Sequence, residues 1–285
     1  MVTTYRPATL QEALSLRGRY HPIPFAGGTD LMVKYHHWDG TLPRFPTDVL
    51  FLGHLQELKG LEKLGKTLVI GAGVTLSEVA TFPSTPELLR EAVLSIAAPG
   101  IRNIATLAGN ICNASPAGDS ICALTTLDAS VSLASESGTR TVPLATFITG
   151  PGRTDLKPGE LLISISVPLE TWDIHVFKKV GTRKANALAK LSFAAAARVQ
   201  DGIVNRVALS FGAVAPTVVR SGEMEKRLAG KTVSEIADGA EEIVRDYGTM
   251  IVPIDDQRST AVYRKQVALN LLRNFLVHTL QKEAR

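Results

Sequence analysis

Cysteine is scarce in this sequence. Cys112 and Cys122 are its two thiols among 285 residues, and they stand ten positions apart. A [2Fe–2S] cluster normally takes four thiolates, and a structural zinc site takes four Cys or His ligands at short spacings. The six histidines form no His-Glu-x-x-His pattern, so we expect no metal site. Any redox chemistry of this chain must therefore use an organic cofactor.

Aromatic residues, charge of one sign and long apolar runs are also scarce. Aromatics make up 6 %, and 31 Lys and Arg are spread along the chain among 27 Asp and Glu. Without a cluster of like charges we expect no nucleic-acid partner. No stretch approaches the roughly 20 apolar residues of a membrane span, and the polar opening lacks the apolar core of a secretory signal. We therefore expect a cytoplasmic protein.

The sequence does contain enough apolar residues for a core, with 45 % hydrophobic residues and a mean hydropathy of +0.12. Thr9-Leu-Gln-Glu12, Thr75-Leu-Ser-Glu78 and Thr232-Val-Ser-Glu235 read as capping boxes at helix starts, and Asp201-Gly202 reads as a hairpin turn. The predicted strands are 49–52, 67–70, 129–134, 139–142, 161–167, 175–180, 188–199 and 203–213. The predicted helices are 9–16, one after Thr75, one with Pro86 as its first residue, one from Asp119 to about 127, 232–247 and 259–280. Runs of strands followed by runs of helices predict an α+β fold with a boundary near residue 170.

Two glycine-containing segments are candidates for holding phosphate. FAGGTDL at 25–31 places two adjacent glycines after an apolar run, and a turn of successive N–H groups can bind an anion. A purely structural turn is the alternative, and no Gly-Lys-Ser/Thr follows as in a Walker loop. GAGVTL at 71–76 begins like a dinucleotide fingerprint but has Leu76 in place of the last glycine. We interpret it as a tight turn into a helix.

The segment 99–119 is rich in small residues, amides and hydroxyls, and it has almost no charge. It is too apolar for a solvent loop and shows no amphipathic period. Its Asn and Thr side chains need hydrogen-bond partners if they are buried. A bound polyhydroxyl ligand or the segment's own backbone could provide them.

These segments resemble a known family. FAGGTDL at 25–31, IGAGVTLSEV at 70–79 and IRNIATLAGNICNASPAGDS at 101–120 are similar, in this order, to the flavin-binding subunit of the molybdenum hydroxylases, which include xanthine dehydrogenase and carbon monoxide dehydrogenase. The likeness continues through PGELLISISVP at 158–168, FKKVGTRKANALAK at 177–190 and DDQRSTAVYR at 255–264. It covers nearly the whole chain.

The resemblance implies a two-part FAD-binding domain of the vanillyl-alcohol oxidase type over 1–169, divided near residue 55, and a small α+β carboxy-terminal domain over 170–285. The loop that cradles the FAD pyrophosphate would comprise Ala26, Gly27, Gly28, Thr29, Asp30 and Leu31. Contacts to the diphosphate and sugar-alcohol region would come from Thr106, Gly109, Asn110 and Asp119. Ile96 and Leu162 would flank the isoalloxazine, with Lys179 as the basic residue near the ring.

Several of these residues have plainer interpretations, and one position departs from the family pattern. Asp119 could simply be a helix N-cap, and a lysine on a strand is often a solvated side chain. Ala108 replaces the commoner second glycine, and its methyl could narrow the approach to FAD. We expect Arg183 to form a structural salt bridge and both cysteines to be buried small hydrophobes.

The resemblance implies an electron-transfer subunit of a heterotrimer. Its partners would be a small subunit with two [2Fe–2S] clusters and a large subunit with molybdopterin, and its electron acceptor NAD⁺ or another molecule. The flavin supplies the chemistry, so no side chain of this chain need act as a catalytic acid or base. Two alternatives stay open, a free-standing flavin reductase or oxidase of the same fold and a scaffold subunit that has lost FAD.

Overall fold

The structure, a computed structural model, describes residues 2–36 and 42–283. The described strands are β1 (Thr4–Tyr5), β2 (Ile23–Phe25), β3 (Val49–Phe51), β4 (Leu61–Leu64), β5 (Thr67–Gly71), β6 (Ser130–Ser135), β7 (Gly138–Pro143), β8 (Ile148–Gly150), β9 (Arg153–Thr154), β10 (Leu161–Pro168), β11 (Ile174–Val180), β12 (Leu191–Gln200), β13 (Ile203–Gly212) and β14 (Val219–Arg220).

The described α-helices are α1 (Leu10–Tyr20), α2 (Thr29–Lys34), α3 (Leu76–Thr81), α4 (Glu87–Leu94), α5 (Pro99–Arg102), α6 (Leu107–Asn113), α7 (Asp119–Thr126), α8 (Leu144–Phe147), α9 (Gly222–Leu228), α10 (Val233–Asp238), α11 (Ala240–Met250), α12 (Ala261–Asn274) and α13 (Leu280–Glu283). A 3₁₀ turn covers Gln56–Leu58, and a π-helical turn at Phe275–Thr279 lies between α12 and α13.

The chain divides into two compact units whose segments alternate along the sequence. The first contains Met1–Thr85, Ala97–Ala114 and Ala129–Pro168. The second contains Pro86–Ile96, Ser115–Asp128 and Leu169–Arg285. Two short pieces of the amino-terminal half, which carry α4 and α7, thus pack with the carboxy-terminal half.

The first unit is built on two main sheets. One has the strand order β1-β3-β2 with parallel pairing, and the other is antiparallel with the order β4-β5-β10-β6-β7. Because side chains alternate along a strand, every second residue of the central strands enters the core. Leu68 and Ile70 on β5, Val131 and Leu133 on β6, and Ile165 on β10 are fully buried.

The second unit has an antiparallel sheet of order β11-β12-β13-β14, against which helices α7, α9 and α12 pack. Rings form the centre of its core. The centroid of Phe193 lies 4.9 Å from that of Phe211 and 6.0 Å from that of Phe275, and Phe211 lies 5.3 Å from Tyr247. Asp201 and Gly202, both at positive φ, turn β12 into β13 as the hairpin signal predicted.

The predicted α+β class is confirmed, and the predicted capping boxes are present at Thr75 and Thr232. At Thr9 the hydroxyl accepts from the Glu12 N–H, but the Glu12 carboxylate accepts from the Ala8 N–H, so the predicted box there is only half formed. Some helix predictions were wrong. Pro86 is the N-cap of α4 and not its first residue. The predicted helix 232–247 is two helices that meet at Gly239, and the last helix starts after Thr260 and includes a π-helical turn.

Candidate functional site

The glycine-rich loop at 25–31 follows β2 and leads into α2. Gly27 lies against the backbone of 104–105, where a Cβ would be 2.0 Å from the carbonyl oxygen of Ile104. Gly28 has a φ of +70°, and a Cβ there would be 2.0 Å from the Phe25 ring. Both glycines are therefore required by the packing of the protein itself, a reason that the sequence pattern did not reveal.

The backbone N–H groups of this loop are the feature that suits an anion. From Ala26 to Leu31 none of them donates a hydrogen bond to any residue the structure describes. The loop is half-buried except for the exposed Asp30, and it contains no Lys or Arg. Successive free N–H groups form a concave site for phosphate oxygens, so the loop fits a diphosphate held by amides.

Thr106 begins the turn that lies beside this loop. It is the N-cap of α6, and its buried hydroxyl accepts a hydrogen bond from the Gly109 N–H at 3.0 Å. Thr106 also bridges Thr75, and the Leu76 N–H donates to Ala105 O at 2.8 Å. The first unit thus brings 25–31 and 104–106 together.

The neighbouring residues of α6 separate into two faces. Ala108 is buried, so its methyl faces the interior, whereas Gly109 is exposed and Asn110 is half-buried. The position of Ala108 therefore does not support the expectation that its methyl narrows the approach to FAD. Leu162 on β10 is also buried in the first unit. Ile96, the other predicted neighbour of the isoalloxazine, is half-buried and follows α4 in the second unit.

Asp119 and Lys179 form an ion pair within the second unit. Asp119 is the first residue of α7, and Lys179 is on β11. The Lys179 ammonium lies 2.7 Å from Asp119 Oδ2 and donates to Ser95 O at 2.9 Å. Both side chains are largely buried, with 13 % of the lysine and 5 % of the aspartate exposed. The solvated-lysine interpretation is therefore wrong, as is the N-cap interpretation of Asp119, since Gly118 holds that position.

The second carboxylate oxygen of Asp119 has no partner. Oδ1 is buried and makes no hydrogen bond within the described residues. Burial raises the pKa of Asp119 to about 6, although Lys179 opposes this rise by charge and hydrogen bonding. A buried acceptor without a donor is costly, so this atom fits a ligand that brings a hydroxyl group.

Other predicted residues have structural roles. The Arg183 guanidinium donates to the carbonyls of Ala185 and Asn186, so the expected salt bridge is replaced by a brace within one loop. Cys122 is fully buried and Cys112 half-buried. Burial raises the pKa of each thiol to about 12, which keeps both neutral near pH 7. Cys122 is thus the buried small hydrophobe that was expected, whereas Cys112 is less buried than expected.

No sequence motif indicated which residues surround Ala26. A shallow pocket of about 360 Å³ in the first unit is lined by Thr4, Arg6, Ala26, Phe51, Gly53 and His54. Arg6 and His54 belong to no motif and reach this place through the pairing of β1 with β3. A pocket of about 380 Å³ in the second unit, between β11 and the last helical segment, contains none of the predicted residues.

Two features are absent from the described part of the chain. No group of three or more His, Cys, Asp or Glu side chains could hold a metal ion. None of the described helices is both long and apolar enough to cross a membrane.

Comparison with known proteins decides the family. Residues 1–170 match the family of FAD binding domains in molybdopterin dehydrogenases, and residues 175–279 match the CO dehydrogenase flavoprotein C-terminal domain. The chain belongs to the FAD subunits of molybdopterin dehydrogenases. FAD is therefore its cofactor, and its enzyme class is that of oxidoreductase subunits, in agreement with the sequence resemblance.

Several relatives of this FAD subunit match it over nearly their whole length. The glyceraldehyde dehydrogenase medium chain of Sulfolobus acidocaldarius is 32 % identical over 268 residues, covering 92 % of each chain. The nicotinate dehydrogenase FAD-subunit of Eubacterium barkeri is 28 % identical over 98 % of this chain and 96 % of its own. One chain of the carbon monoxide dehydrogenase of Hydrogenophaga pseudoflava superimposes on this chain with a TM-score of 0.87 at 25 % identity. The superposition covers 96 % of this chain and 95 % of that one.

Proposed function

We propose that this chain is the electron-transfer subunit of a molybdenum hydroxylase of the xanthine dehydrogenase type. It would receive electrons from [2Fe–2S] clusters in a small partner subunit and pass them to NAD⁺ or another acceptor. A large partner subunit with molybdopterin would hydroxylate the organic substrate. The observation that carries the proposal is the loop at 26–31, whose free N–H groups suit the FAD diphosphate without a cation.

A carbon monoxide dehydrogenase relative supports the division of labour among subunits. The Hydrogenophaga pseudoflava protein is called a medium chain, and its solved form is described as lacking the Mo-pyranopterin moiety of the molybdenum cofactor. Molybdenum therefore belongs to that enzyme, of which the medium chain is one part. This chain has two cysteines, too few for the four thiolates of a cluster, so the clusters must be in a partner.

The protein's contribution is to bind and orient FAD. The proposed contacts are Ala26, Gly27, Gly28, Thr29, Asp30 and Leu31 at the diphosphate, Thr106, Gly109, Asn110 and Asp119 at the diphosphate and sugar alcohol, and Ile96, Leu162 and Lys179 near the ring. When bound, FAD can accept electrons singly and release them as a hydride, which a cluster and NAD⁺ respectively require. No side chain need act as acid or base.

The domain boundary belongs to the same proposal. We assign 1–169 to the FAD-binding domain, divided near residue 55, and 170–285 to the carboxy-terminal domain. The two compact units do not follow this division along the sequence, because α4 and α7 pack with the carboxy-terminal half. The cytoplasmic location stays a prediction.

A spectrum of the purified full-length chain tests the proposal. We expect a bound yellow chromophore, identified as FAD after release, that bleaches when a reductant is added. Bleaching by NADH would support NAD⁺ as the acceptor, and bleaching by dithionite alone would point to another acceptor. A colourless chain that takes up no added FAD would overturn the assignment in favour of a scaffold subunit.

Association with the partners is tested separately. We expect the chain to co-purify with a small subunit that contains iron and a large subunit that contains molybdenum when the three are co-expressed. A chain that holds FAD, stays alone under these conditions and reduces a substrate directly would support the free-standing reductase instead.

A further inference from the structure

The ion pair of the second unit assigns a role to Lys179 that differs from a cation offered to the flavin ring. Its ammonium faces two acceptors of the protein, Asp119 Oδ2 at 2.7 Å and Ser95 O at 2.9 Å. These partners come from α7 and from the end of α4, while the lysine itself is on β11. Its charge is therefore compensated within the protein.

Lys179 is the charged group that acts on the Asp119 carboxyl. One turn along α7, Cys122 is a neutral thiol because burial raises its pKa to about 12. The elements packed against α7 carry further polar or charged groups, which are Ser192, Arg198 and Gln200 on β12, Asn205, Arg206 and Ser210 on β13, and Glu87, Arg90 and Glu91 on α4. Glu87 pairs with Arg90, Arg198 pairs with Glu170, and Arg206 pairs with Glu170 and Asp128. Asp128 also pairs with Arg220, at the far end of α7. No second cation of the described residues is paired with Asp119.

Asp119 needs that cation because it is buried. A carboxylate 5 % exposed is destabilised in its charged form by lost hydration, and an opposite charge at 2.7 Å offsets the loss. The same contact engages Oδ2, and Oδ1 has no hydrogen-bond partner among the residues that the structure describes. The outcome is an ionised carboxylate with one oxygen occupied and the other ready to accept a hydrogen bond.

We infer that Lys179 is a positioning residue for Asp119, which it keeps ionised and oriented so that Oδ1 can accept a hydroxyl group of bound FAD. The inference rests on the proposed function, since it takes FAD as the ligand. In this role Lys179 affects how strongly the chain binds FAD and how that binding depends on pH, and it does not act on the flavin ring directly. Without Lys179 the burial of Asp119 is unopposed, and the carboxyl stays protonated to a higher pH.

The test is FAD binding to the full-length apo chain between about pH 5 and pH 9, followed by quenching of flavin fluorescence. For the unchanged chain we expect Kd to rise as the pH falls through about 6, where Asp119 takes up a proton. Lys179→Met should move this midpoint up by about one to two units, which weakens binding at pH 7 by roughly twofold to tenfold and leaves it nearly unchanged at pH 9. Lys179→Arg should restore the original profile.

Two variants serve as controls. Lys178→Met removes the exposed neighbouring lysine of β11 and should leave the profile unchanged. Asp119→Asn should bind FAD weakly at every pH, since an amide does not titrate. If Lys179→Met does not fold, Lys179→Gln, which keeps a polar side chain without the charge, takes its place: a midpoint that moves up supports the inference, and an unchanged midpoint overturns it.

The possible results separate the inference from the proposed function. A Kd that rises equally at all pH values in Lys179→Met would overturn the positioning role, because the midpoint would not have moved. A pH-independent Kd in the unchanged chain would do the same. Failure of the unchanged chain to bind FAD at any pH would instead overturn the proposed function.

Discussion

Gly27→Ala should destabilise the first unit whether or not FAD is bound. The added Cβ would lie 2.0 Å from Ile104 O, 2.7 Å from Ile104 C and 3.0 Å from Ala105 Cα, all backbone atoms. Real Cβ contacts are essentially never shorter than 3.0 Å, so the two backbones must separate by about 1 Å. Overpacking typically costs about 1–3 kcal/mol, and we expect the upper end because backbone cannot rotate away.

The assay is thermal unfolding of the apo chain and of the FAD-loaded chain. A loss of about 3 kcal/mol lowers Tm by roughly 6–12 °C in a protein of this size. The matched control is Gly100→Ala on α5, where a Cβ meets nothing within 4 Å and adds helix propensity. We expect its Tm to stay the same or rise slightly.

The comparison of the two forms tests the reasoning. Because the clash is between protein atoms, the deficit of Gly27→Ala must appear in the apo chain. A variant that melts like the Gly100→Ala control when apo, and differs only when loaded, would refute the packing argument. The glycine would then be required because a Cβ at this position obstructs the approach of FAD.

Two further predictions concern the first unit. Arg140→Met should cost about 2–3 kcal/mol, because it leaves the buried Glu160 without its bidentate partner at 2.7 and 2.8 Å. Arg140 lowers the pKa of Glu160, and Lys157 and Arg140 lower the pKa of Asp155. The stabilisation is therefore present above the ordinary carboxyl pKa of about 4 and is lost as the pH falls below it. Urea unfolding of both chains should therefore show a gap at pH 7 that shrinks towards pH 3, and a constant gap would contradict this account. Thr106→Ala should cost about 1 kcal/mol through loss of the α6 N-cap, whereas Thr106→Ser should cost less; equal losses in the two variants would mean that the hydroxyl is not the cause.

The predictions that succeeded for the fold depend on local signals. The capping boxes at Thr75 and Thr232 and the Asp201-Gly202 hairpin are determined within a few residues, so the sequence alone was enough to find them. Helix α6 was missed because its Thr106 cap precedes small and polar residues without an amphipathic period. The break at Gly239 was missed because the helical pattern continues on both sides of it.

The sequence pattern singled out segments for the candidate site, but it did not indicate the contacts that shape those segments. The loop at 25–31 was found from its glycines, yet their cause lies in the Phe25 ring and in the backbone of 104–105, which no local pattern connects to the loop. Arg6 and His54 reach the pocket beside Ala26 through strand pairing, and neither belongs to a motif. Tertiary contacts of this kind have no signature in a single sequence.

Asp119 and Lys179 show most clearly what the sequence could not supply. Taken separately, an aspartate at a helix start and a lysine on a strand each have an ordinary interpretation, and the resemblance gave them separate roles toward FAD. Their contact at 2.7 Å makes the roles dependent on each other, since the lysine determines whether the carboxyl is charged and which oxygen is free. A substitution at Lys179 is thus in part a substitution at Asp119. Only measurement of both variants across pH can separate a cation that acts on the flavin from one that acts through its neighbour.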